Sequence, residues 1–403
     1  MINPLRGMKD LMFDDADRYV HIIKTAIEVA KKYGYSYIET PILEETSLFR
    51  RSVGESSDIV GKEMYQFEDK GGNDVCMRPE GTAGVVRAMI SAKLDRQPMK
   101  QKFYYYGPMF RYERPQKGRL REFHQFGCES FGEASVYEDF TIISMVAQIL
   151  DELGISYKLL INSLGCSECM PAYRSDLVNY LNDIKDDLCQ DCNRRITTNP
   201  IRVLDCKNES CQIHLKDAPK LLNNLCDNCN SDFEELRKLL DKSEINYEVD
   251  THLDRGLDYY NKTAFEFVSD EIGSQSAIAG GGRYDRLIEY LDGKPTAGIG
   301  FAMGIERMME LVKMPPSQKS GYYFGAMTPE AIEPLILLAQ KKRKESKVTV
   351  EYNSKGFKSH MKGAEKSNAK YAVLIGEDEL TNQTVWIKDL ENQEEKTVKR
   401  DEL

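Results

Sequence analysis

Two arginines in the sequence could hold phosphate groups. Arg111 opens a basic stretch that ends at Arg121 and contains one acidic residue, Glu113. Arg307 lies further along, in a glycine-containing segment. A guanidinium group can donate two parallel hydrogen bonds to phosphate oxygens, so either residue is a candidate for nucleotide binding. Each arginine taken singly is more often part of a surface salt bridge. The chain contains no P-loop sequence, so an ATP site would have to be built in another way.

Cysteines form the second chemical pattern. Eight of the ten cysteines lie between Cys166 and Cys229. Three CxxC pairs account for six of them, and in a cytosolic chain this spacing favours metal binding or free thiols over disulfides. Four thiolates can close a structural zinc site. The candidate ligands are Cys189, Cys192, Cys226 and Cys229. Zinc is the less favoured interpretation, and the preferred one is a set of free thiols in an insertion that needs no metal.

The hydrophobic pattern predicts the elements that position these residues. An amphipathic helix is expected over Asp15–Tyr33, followed by a strand over Tyr35–Leu43 that is interrupted by Pro41. Two strands joined by the basic loop are expected between residues 103 and 131, and a strand-like segment over residues 250–258. Residues 166–245 interrupt this pattern and are predicted to be an inserted helical module. It divides a catalytic domain of residues 1–165 and 246–318.

After Pro315-Pro316 the chain alternates between strand and helix patterns. Residues 321–403 are therefore predicted to be a small α/β domain. The net charge of −10 argues against general binding of nucleic acid, but residues 336–370 carry ten basic side chains against three acidic ones. An RNA ligand would need such local basic surfaces. No apolar run is long enough to span a bilayer, and we expect a cytoplasmic protein without membrane contact.

Six stretches, in the same order, resemble the histidyl-tRNA synthetase family. Three are similar to the general motifs of class II synthetases: IETP at residues 38–41, MFRYERPQKGRLREFHQFG at 109–127, and GFAMGIER at 300–307. Three more are RPEGT at 78–82, RGLDYY at 255–260 and AGGGRYD at 279–285, of which the last two resemble signatures of histidyl enzymes. The resemblance implies an α+β fold, with an antiparallel catalytic sheet and a C-terminal anticodon-binding domain.

The same resemblance implies a reaction and the residues that carry it. Histidine would attack the α-phosphorus of ATP, and the resulting histidyl-adenylate would charge tRNA(His). Arg111 and Arg255 would bind the α-phosphate and Arg307 the γ-phosphate, with Mg²⁺ on the β- and γ-phosphates. The residues expected around the α-amino group are Glu80, Thr82 and Gln125. The residues expected around the imidazole are Glu129, Tyr259 and Tyr260.

The resemblance also implies partners. Gln116 and Arg114 would approach the acceptor end of the tRNA, and the proline of the first motif would lie at a homodimer interface. Two departures stand out, since Asp254 replaces an aliphatic residue and Arg286 a glycine. The main alternative is the synthetase-like regulatory subunit of ATP phosphoribosyltransferase, which is not an enzyme. A threonyl or prolyl synthetase is a second alternative, and RGLDYY and AGGGRYD argue against it.

Overall fold

The structure is a computed structural model that describes residues 2–54, 57, 59–204, 206, 208–251, 253, 257, 259–273, 276–316 and 318–403. The chain divides into two compact units, Met1–Lys313 and Met314–Leu403. Among the described residues, no helix has the length and apolar character needed to cross a bilayer.

The first unit combines ten α-helices and eleven strands among its described residues. The elements before the insertion are α1 (Asp14–Lys32), β1 (Ser36–Tyr37), β2 (Leu43–Glu45), α2 (Thr46–Val53), β3 (Gln66–Glu68), β4 (Asp74–Met77), α3 (Thr82–Ser91), β5 (Gln101–Phe110), β6 (Glu122–Phe131), α4 (Val136–Glu152) and β7 (Lys158–Ser163). The insertion contributes α5 (Met170–Asp183), α6 (Gln190–Thr198), α7 (Glu209–Leu215) and α8 (Asp227–Lys242). The remaining elements are β8 (Tyr247–Val249), β9 (Asn261–Val268), β10 (Ala277–Arg283), α9 (Leu287–Tyr290), β11 (Gly298–Gly304) and α10 (Ile305–Leu311).

An eight-stranded sheet forms the centre of this unit. Its order is β1-β5-β6-β11-β10-β9-β7-β8. All pairings from β5 to β7 are antiparallel, and only the two edge strands, β1 and β8, pair in parallel with their neighbours. A smaller antiparallel sheet has the order β2-β4-β3. The antiparallel sheet with flanking helices confirms the predicted fold class.

Strand alternation separates a core face of the large sheet from a site face. Successive side chains of a strand point to opposite faces. On β6, Phe126 and Cys128 are fully buried in the hydrophobic core that also contains side chains of α1, α4 and α10. Gln125, Gly127 and Glu129 therefore lie on the opposite face. One strand thus contributes both to the core and to the candidate site.

The structure corrects two of the strand predictions. Only Ser36–Tyr37 forms a strand within the segment predicted around Pro41, and the next strand begins at Leu43. A proline cannot donate a ladder hydrogen bond, which explains the break. The segment predicted over residues 250–258 contains no strand among its described residues, and β8 instead precedes it. The helix predicted over Asp15–Tyr33 is confirmed as α1.

The insertion is helical, as predicted, and its last helix belongs to the main core. Phe233, Leu236 and Leu240 of α8 are buried with the side chains of α4. Helices α5 to α7 surround a separate small core that includes Leu177 and Ile196. The insertion therefore joins the main core through α8 and has a small hydrophobic core of its own.

The second unit is an α/β fold with a five-stranded sheet. Its elements are β12 (Tyr322–Ala326), α11 (Ile332–Lys342), β13 (Val348–Glu351), α12 (Phe357–Lys366), β14 (Tyr371–Ile375), α13 (Glu377–Asn382), β15 (Thr384–Asp389) and β16 (Glu395–Lys399). The strand order is β13-β12-β14-β15-β16, parallel over the first three strands and antiparallel over the last two pairings. Pro334 lies in the first turn of α11, where a missing N–H costs no helical hydrogen bond.

Candidate active site

A cleft of about 220 Å³ opens on the site face of the large sheet. Strands β6, β10 and β11, the loop after β5 and the start of α10 form its walls. The lining residues are Arg111, Glu113, Gly118, Arg119, Leu120, Phe123, Gln125, Glu266, Ala277, Ile278, Ala279, Gly280, Ala302, Gly304, Glu306 and Arg307. Among the described residues, IETP, RPEGT and RGLDYY contribute no lining residue, and AGGGRYD contributes Ala279 and Gly280. The stretches at 109–127 and 300–307 contribute all the charged lining residues except Glu266.

Both predicted phosphate-binding arginines line this cleft. The Arg111 Nε–H donates to the carbonyl oxygen of Pro79 at 2.9 Å, and its guanidinium lies over the Phe123 ring at 5.2 Å. The Arg307 Nε–H donates to the carbonyl oxygen of Gly118 at 2.9 Å. The Arg307 Nη1–H also donates to the carbonyl oxygen of Ala277 at 2.5 Å. Backbone carbonyls and an aromatic ring thus orient the two guanidinium groups in the cleft.

Three arginines, Arg111, Arg119 and Arg307, line the cleft together with three glutamates. Burial lowers the pKa of Arg307, and the positive charges of Arg119 and Arg111 lower that pKa further. Such mutual repulsion between cations is relieved by a polyanion. Arg119 also pairs with the buried carboxylate of Glu113. In the sequence, Arg119 was only one residue of a basic stretch. The structure shows that it lines the cleft, because the hairpin loop turns back at Gly118.

That hairpin is the loop between β5 and β6. Gln116 and Arg119 exchange backbone hydrogen bonds of 3.0 and 2.9 Å, and Gly118 adopts a φ of 71° at the turn. A left-handed φ of this kind suits glycine, which has no Cβ. The side chains of Gln116 and Arg114 are exposed on this loop. The structure therefore places both predicted tRNA-contacting residues outside the cleft, on an accessible surface.

The second part of the site is a cluster of buried polar side chains around Glu129, called the Glu129 pocket. This carboxylate is fully buried. Its Oε1 accepts hydrogen bonds from the hydroxyl of Thr82 at 2.7 Å and from that of Tyr105 at 3.1 Å, and its Oε2 accepts one from the Tyr284 hydroxyl. Burial raises the pKa of Glu129 to about 8. A carboxylate has about four acceptor positions, so it can still receive a ligand donor.

Two glycines on neighbouring strands make room for this pocket. Gly300 on β11 is the cross-strand partner of Glu129, and a Cβ at Gly300 would lie 1.7 Å from Glu129 Oε2. Gly127 on β6 is opposite Tyr105, and a Cβ there would lie 2.4 Å from the Tyr105 hydroxyl oxygen. Both glycines are needed because a larger side chain would occupy the space of the buried polar groups.

The residues predicted around the α-amino group lie on two neighbouring elements. Glu80 precedes α3, and its carboxylate accepts the backbone N–H groups of Thr82 at 2.6 Å and Ala83 at 2.9 Å. Burial raises the pKa of Glu80. Gln125 lines the cleft, and its buried Oε1 has no hydrogen-bond partner in the described part of the chain. A buried acceptor without a donor is costly, and an ammonium group would satisfy it.

Aromatic residues close the pocket. The rings of Tyr259 and Tyr260 lie 4.6 Å apart, and Tyr259 packs edge-on against Tyr284 at 5.7 Å. Sequence reasoning identified the first two and missed Tyr105 and Tyr284 as partners of Glu129. Tyr284 could have been found, because it lies within the AGGGRYD stretch. Tyr105 had no such signal, since only strand pairing brings it beside Glu129.

Several other motif residues have structural contacts. Arg283 is buried and pairs with Asp139 at 2.5 Å. Arg286 is exposed and pairs with Glu289 at 3.7 Å, so this departure from the family pattern lies on the surface. Arg255 and Asp254 lie outside the described residues, and the predicted role of Arg255 on the α-phosphate stays a prediction.

The structure corrects the cysteine grouping. Cys189 and Cys192 do not share a site with Cys226 and Cys229. The eight cysteines of the insertion instead form a proximal cluster of Cys166, Cys169, Cys226 and Cys229 and a distal cluster of Cys189, Cys192, Cys206 and Cys211. Spacing identified the CxxC pairs, but the packing of α5 to α8 decides which pairs meet.

Comparisons with known proteins cover nearly the whole chain. The sequence profile described as Histidyl-tRNA synthetase matches residues 7–173 and 197–308, and that described as Anticodon binding domain matches residues 332–403. A curated relative from Sulfurovum sp. (strain NBC37-1), named Histidine--tRNA ligase, is 76% identical over 398 residues, with 99% of each chain covered.

Solved structures agree with the sequence relatives. Apo histidyl-tRNA synthetase from S. aureus has a TM-score of 0.83 at 33% identity, covering 100% of this chain and 98% of that one. A structure titled ATP phosphoribosyltransferase regulatory subunit/histidyl-tRNA synthetase, from Bacillus halodurans C, has a TM-score of 0.66 at 20% identity, covering 93% of this chain and 98% of that one, and it supports the fold alone. The chain belongs to the histidyl-tRNA synthetase family.

Proposed function

We propose that this chain is a histidine–tRNA ligase that activates L-histidine with ATP and then transfers it to tRNA(His). The observation that carries the proposal is the placement of the buried carboxyl group of Glu129 beside a cleft that three arginines line. Gln125 lines the cleft, and Glu129 lies on the same face of β6 four residues further on, about 13 Å along the strand at ~3.3 Å per residue. A histidyl-adenylate needs both environments next to each other.

The cleft supports the activation step. When the histidine carboxylate attacks the α-phosphorus, negative charge develops on the phosphate oxygens before pyrophosphate leaves. Cations that are fixed in advance stabilise this charge without reorganising during the reaction. Arg111 is assigned to the α-phosphate and Arg307 to the γ-phosphate, and both are already held by backbone carbonyls. Arg255 is assigned to the α-phosphate on resemblance alone.

The pocket supports the choice of histidine. An imidazole ring carries both a donor and an acceptor nitrogen. Glu129 would accept the ring N–H, and the hydroxyl of Tyr260 would meet the other nitrogen. Glu80, Thr82 and Gln125 would surround the α-amino group. Amino acids without a ring donor would leave the buried Glu129 carboxylate without that partner, which gives strong discrimination without an editing step.

The carboxylates of the cleft fit a magnesium ion on the ATP phosphates. Mg²⁺ is usually held by one or two carboxylates together with phosphate oxygens. Glu113 and Glu266 line the same cleft as the arginines. When bound, the ion would neutralise charge on the β- and γ-phosphates. Arg111 would then hold the α-phosphate and Arg307 the γ-phosphate.

The remaining partners follow from surfaces of each unit. Gln116 and Arg114 are assigned to the acceptor end of the tRNA, and the basic helices of the second unit to its phosphates. Tyr37, Ile42, Leu43 and Phe67 are exposed apolar side chains in or beside β1 to β3. Ile42 adjoins Leu43 of β2, and β2 and β3 pair with the same strand, β4. Exposed apolar side chains on neighbouring strands are typical of an interaction surface, which supports a homodimer through the first class II motif. The reaction would take place in the cytoplasm, without membrane contact.

Pyrophosphate exchange, run with each of the twenty amino acids in turn, tests the activity. Histidine alone should support rapid exchange, and the same preparation should charge tRNA(His). Exchange with another amino acid would contradict the assigned substrate. Absence of exchange with histidine, in a chain that binds it, would instead support the regulatory alternative.

Charging in increasing salt tests the RNA contacts. Because phosphate contacts release counterions, charging by the full chain should weaken steeply with added salt. A chain that ends near Lys319 should keep histidine-dependent exchange and lose most of its charging. A truncated chain with unchanged tRNA KM and salt dependence would show that the second unit does not bind RNA.

A further inference from the structure

The eight cysteines of the insertion remain unexplained by the adenylate chemistry, and none of them lines the cleft. We propose that the insertion binds two zinc ions, one in the proximal cluster and one in the distal cluster, each held by four cysteine thiolates. In each cluster, the four sulfur atoms lie within 4.8 Å of one another.

The sulfur–sulfur distances fit tetrahedral zinc. A Zn–S bond of about 2.3 Å places two sulfurs of a tetrahedral site about 3.8 Å apart. In the proximal cluster, Cys166 Sγ lies 3.7 Å from the sulfurs of both Cys169 and Cys226. In the distal cluster, Cys189 Sγ lies 3.9 Å from Cys206 Sγ. A disulfide would require about 2.05 Å, so these are separate sulfurs arranged around a common centre.

Backbone N–H groups point at the sulfurs of both clusters. The N–H of Cys226 donates to Cys169 Sγ at 3.2 Å, and that of Cys189 donates to Cys211 Sγ at 3.2 Å. The N–H of Glu168 donates to Cys166 Sγ at 3.4 Å. Such donors around the ligands stabilise metal-bound thiolates and fix their orientation. Free thiols are weak donors and acceptors, and four of them facing one another would gain little from this arrangement.

Each cluster joins segments that are separated in the sequence. The proximal cluster connects the chain before α5 with the start of α8, across a sequence separation of 60 residues between Cys166 and Cys226. The distal cluster connects α6 to α7, and Cys192 and Cys211 belong to the small core of the insertion. Small modules with little apolar core commonly depend on a structural metal.

The two sites would have different structural roles. Lys262 on β9 pairs with Asp232 of α8 at 3.1 Å, and its N–H donates to the carbonyl oxygen of Gly165 at 2.7 Å, directly before Cys166. The proximal ion would therefore fix the insertion to the catalytic sheet. The distal ion would hold α6 and α7 together. The match to the family profile skips residues 174–196, which include Cys189 and Cys192. The distal site is therefore inferred from this structure and not from the resemblance to the family.

Metal analysis of the full-length chain, purified without chelators from zinc-supplemented cells, tests the proposal. We expect about two zinc ions per chain. Cys229→Ser should remove the proximal ion and Cys192→Ser the distal ion, each leaving about one. Cys76→Ser is the matched control, because Cys76 is buried and belongs to neither cluster. This control should keep both ions.

A second measurement decides the question if the variants fail to fold. The wild-type chain, exchanged with cobalt(II), should show thiolate-to-cobalt charge-transfer bands and tetrahedral d–d bands for about two ions. Below one tenth of a zinc per chain together with no thiolate–cobalt bands would overturn the proposal. So would a single zinc per chain, iron in place of zinc, or disulfides among the eight cysteines.

Discussion

The catalytic sheet and the insertion bring their chemical groups together in different ways. In the sheet, Gln125, Gly127 and Glu129 share one face because they alternate along one strand, and cross-strand pairing adds Gly300 at a fixed register. In the insertion, each cysteine cluster draws on segments joined only by the packing of short helices. Side chains on a paired strand are positioned by the backbone, whereas the clustered thiols depend on tertiary contacts and, we propose, on bound metal.

This difference predicts where substitutions affect chemistry and where they affect folding. Changes on the site face of the sheet should alter exchange kinetics while the fold survives. Changes in the cysteine clusters should alter metal content and the stability of the insertion, with smaller effects on histidine activation.

The largest expected effect is that of Arg111→Ala. Loss of a fixed cation at the α-phosphate should reduce histidine-dependent pyrophosphate exchange by about 10²- to 10³-fold, the scale for removing one transition-state donor. Arg194→Ala is the control from the insertion, since Arg194 is exposed and pairs only locally, with Asp191 at 3.1 Å. Equal losses in both variants would remove the distinction between the two regions.

Glu129→Gln should have the next largest effect. The change keeps the volume and one acceptor oxygen but replaces a carboxyl group that can ionise against a bound imidazole with an amide that cannot. Truncating one partner of a buried charged hydrogen bond costs at least about 2 kcal/mol, so the histidine KM should rise roughly 30-fold or more. The KM for ATP should change little. A histidine KM within twofold of wild type would show that the imidazole is read elsewhere.

Gly300→Ala tests whether strand register makes the pocket. The added Cβ would fall 1.7 Å from Glu129 Oε2, so the carboxylate must move. Overpacking of this kind should lower the free energy of unfolding by about 1–3 kcal/mol and raise the histidine KM. At Gly61 no atom lies within 4 Å of an added Cβ, so Gly61→Ala is the control. Urea unfolding measures the free energy of unfolding of both variants. Equal values for Gly300→Ala and Gly61→Ala would contradict the view that strand register forms the pocket.

The last comparison concerns the pH dependence of stability. The pKa of Glu129 rises on folding from 4.5 to about 8, so the folded chain favours the protonated carboxyl. Its contribution to stability is full below about pH 4.5 and is lost as the pH rises towards 8. Relative to Glu129→Gln, the wild type should become progressively less stable over this range. Parallel pH profiles for the two chains would argue against a neutral buried carboxyl.

The sequence predicted the sheet better than it predicted the insertion, for a physical reason. Arg111 and Arg307 were found because each lies within one continuous sequence motif. The motif of Arg111 covers a strand and the loop after it, and the motif of Arg307 covers the junction between β11 and α10. Tyr105 was missed because its position beside Glu129 depends on the pairing register of β5 and β6, which the sequence did not reveal. The cysteine pairs were visible locally, but their grouping was not, because it depends on how α5 to α8 pack.

The chemistry of the sheet face has a direct structural test. A crystal structure of the chain with ATP and histidinol, which keeps the imidazole and amino group but cannot react, would locate both ligands. We expect the imidazole within hydrogen-bond distance of Glu129, the amino group beside Gln125, and the α-phosphate on Arg111. An imidazole bound away from Glu129, or ATP phosphates outside the cleft of Arg111 and Arg307, would contradict the account.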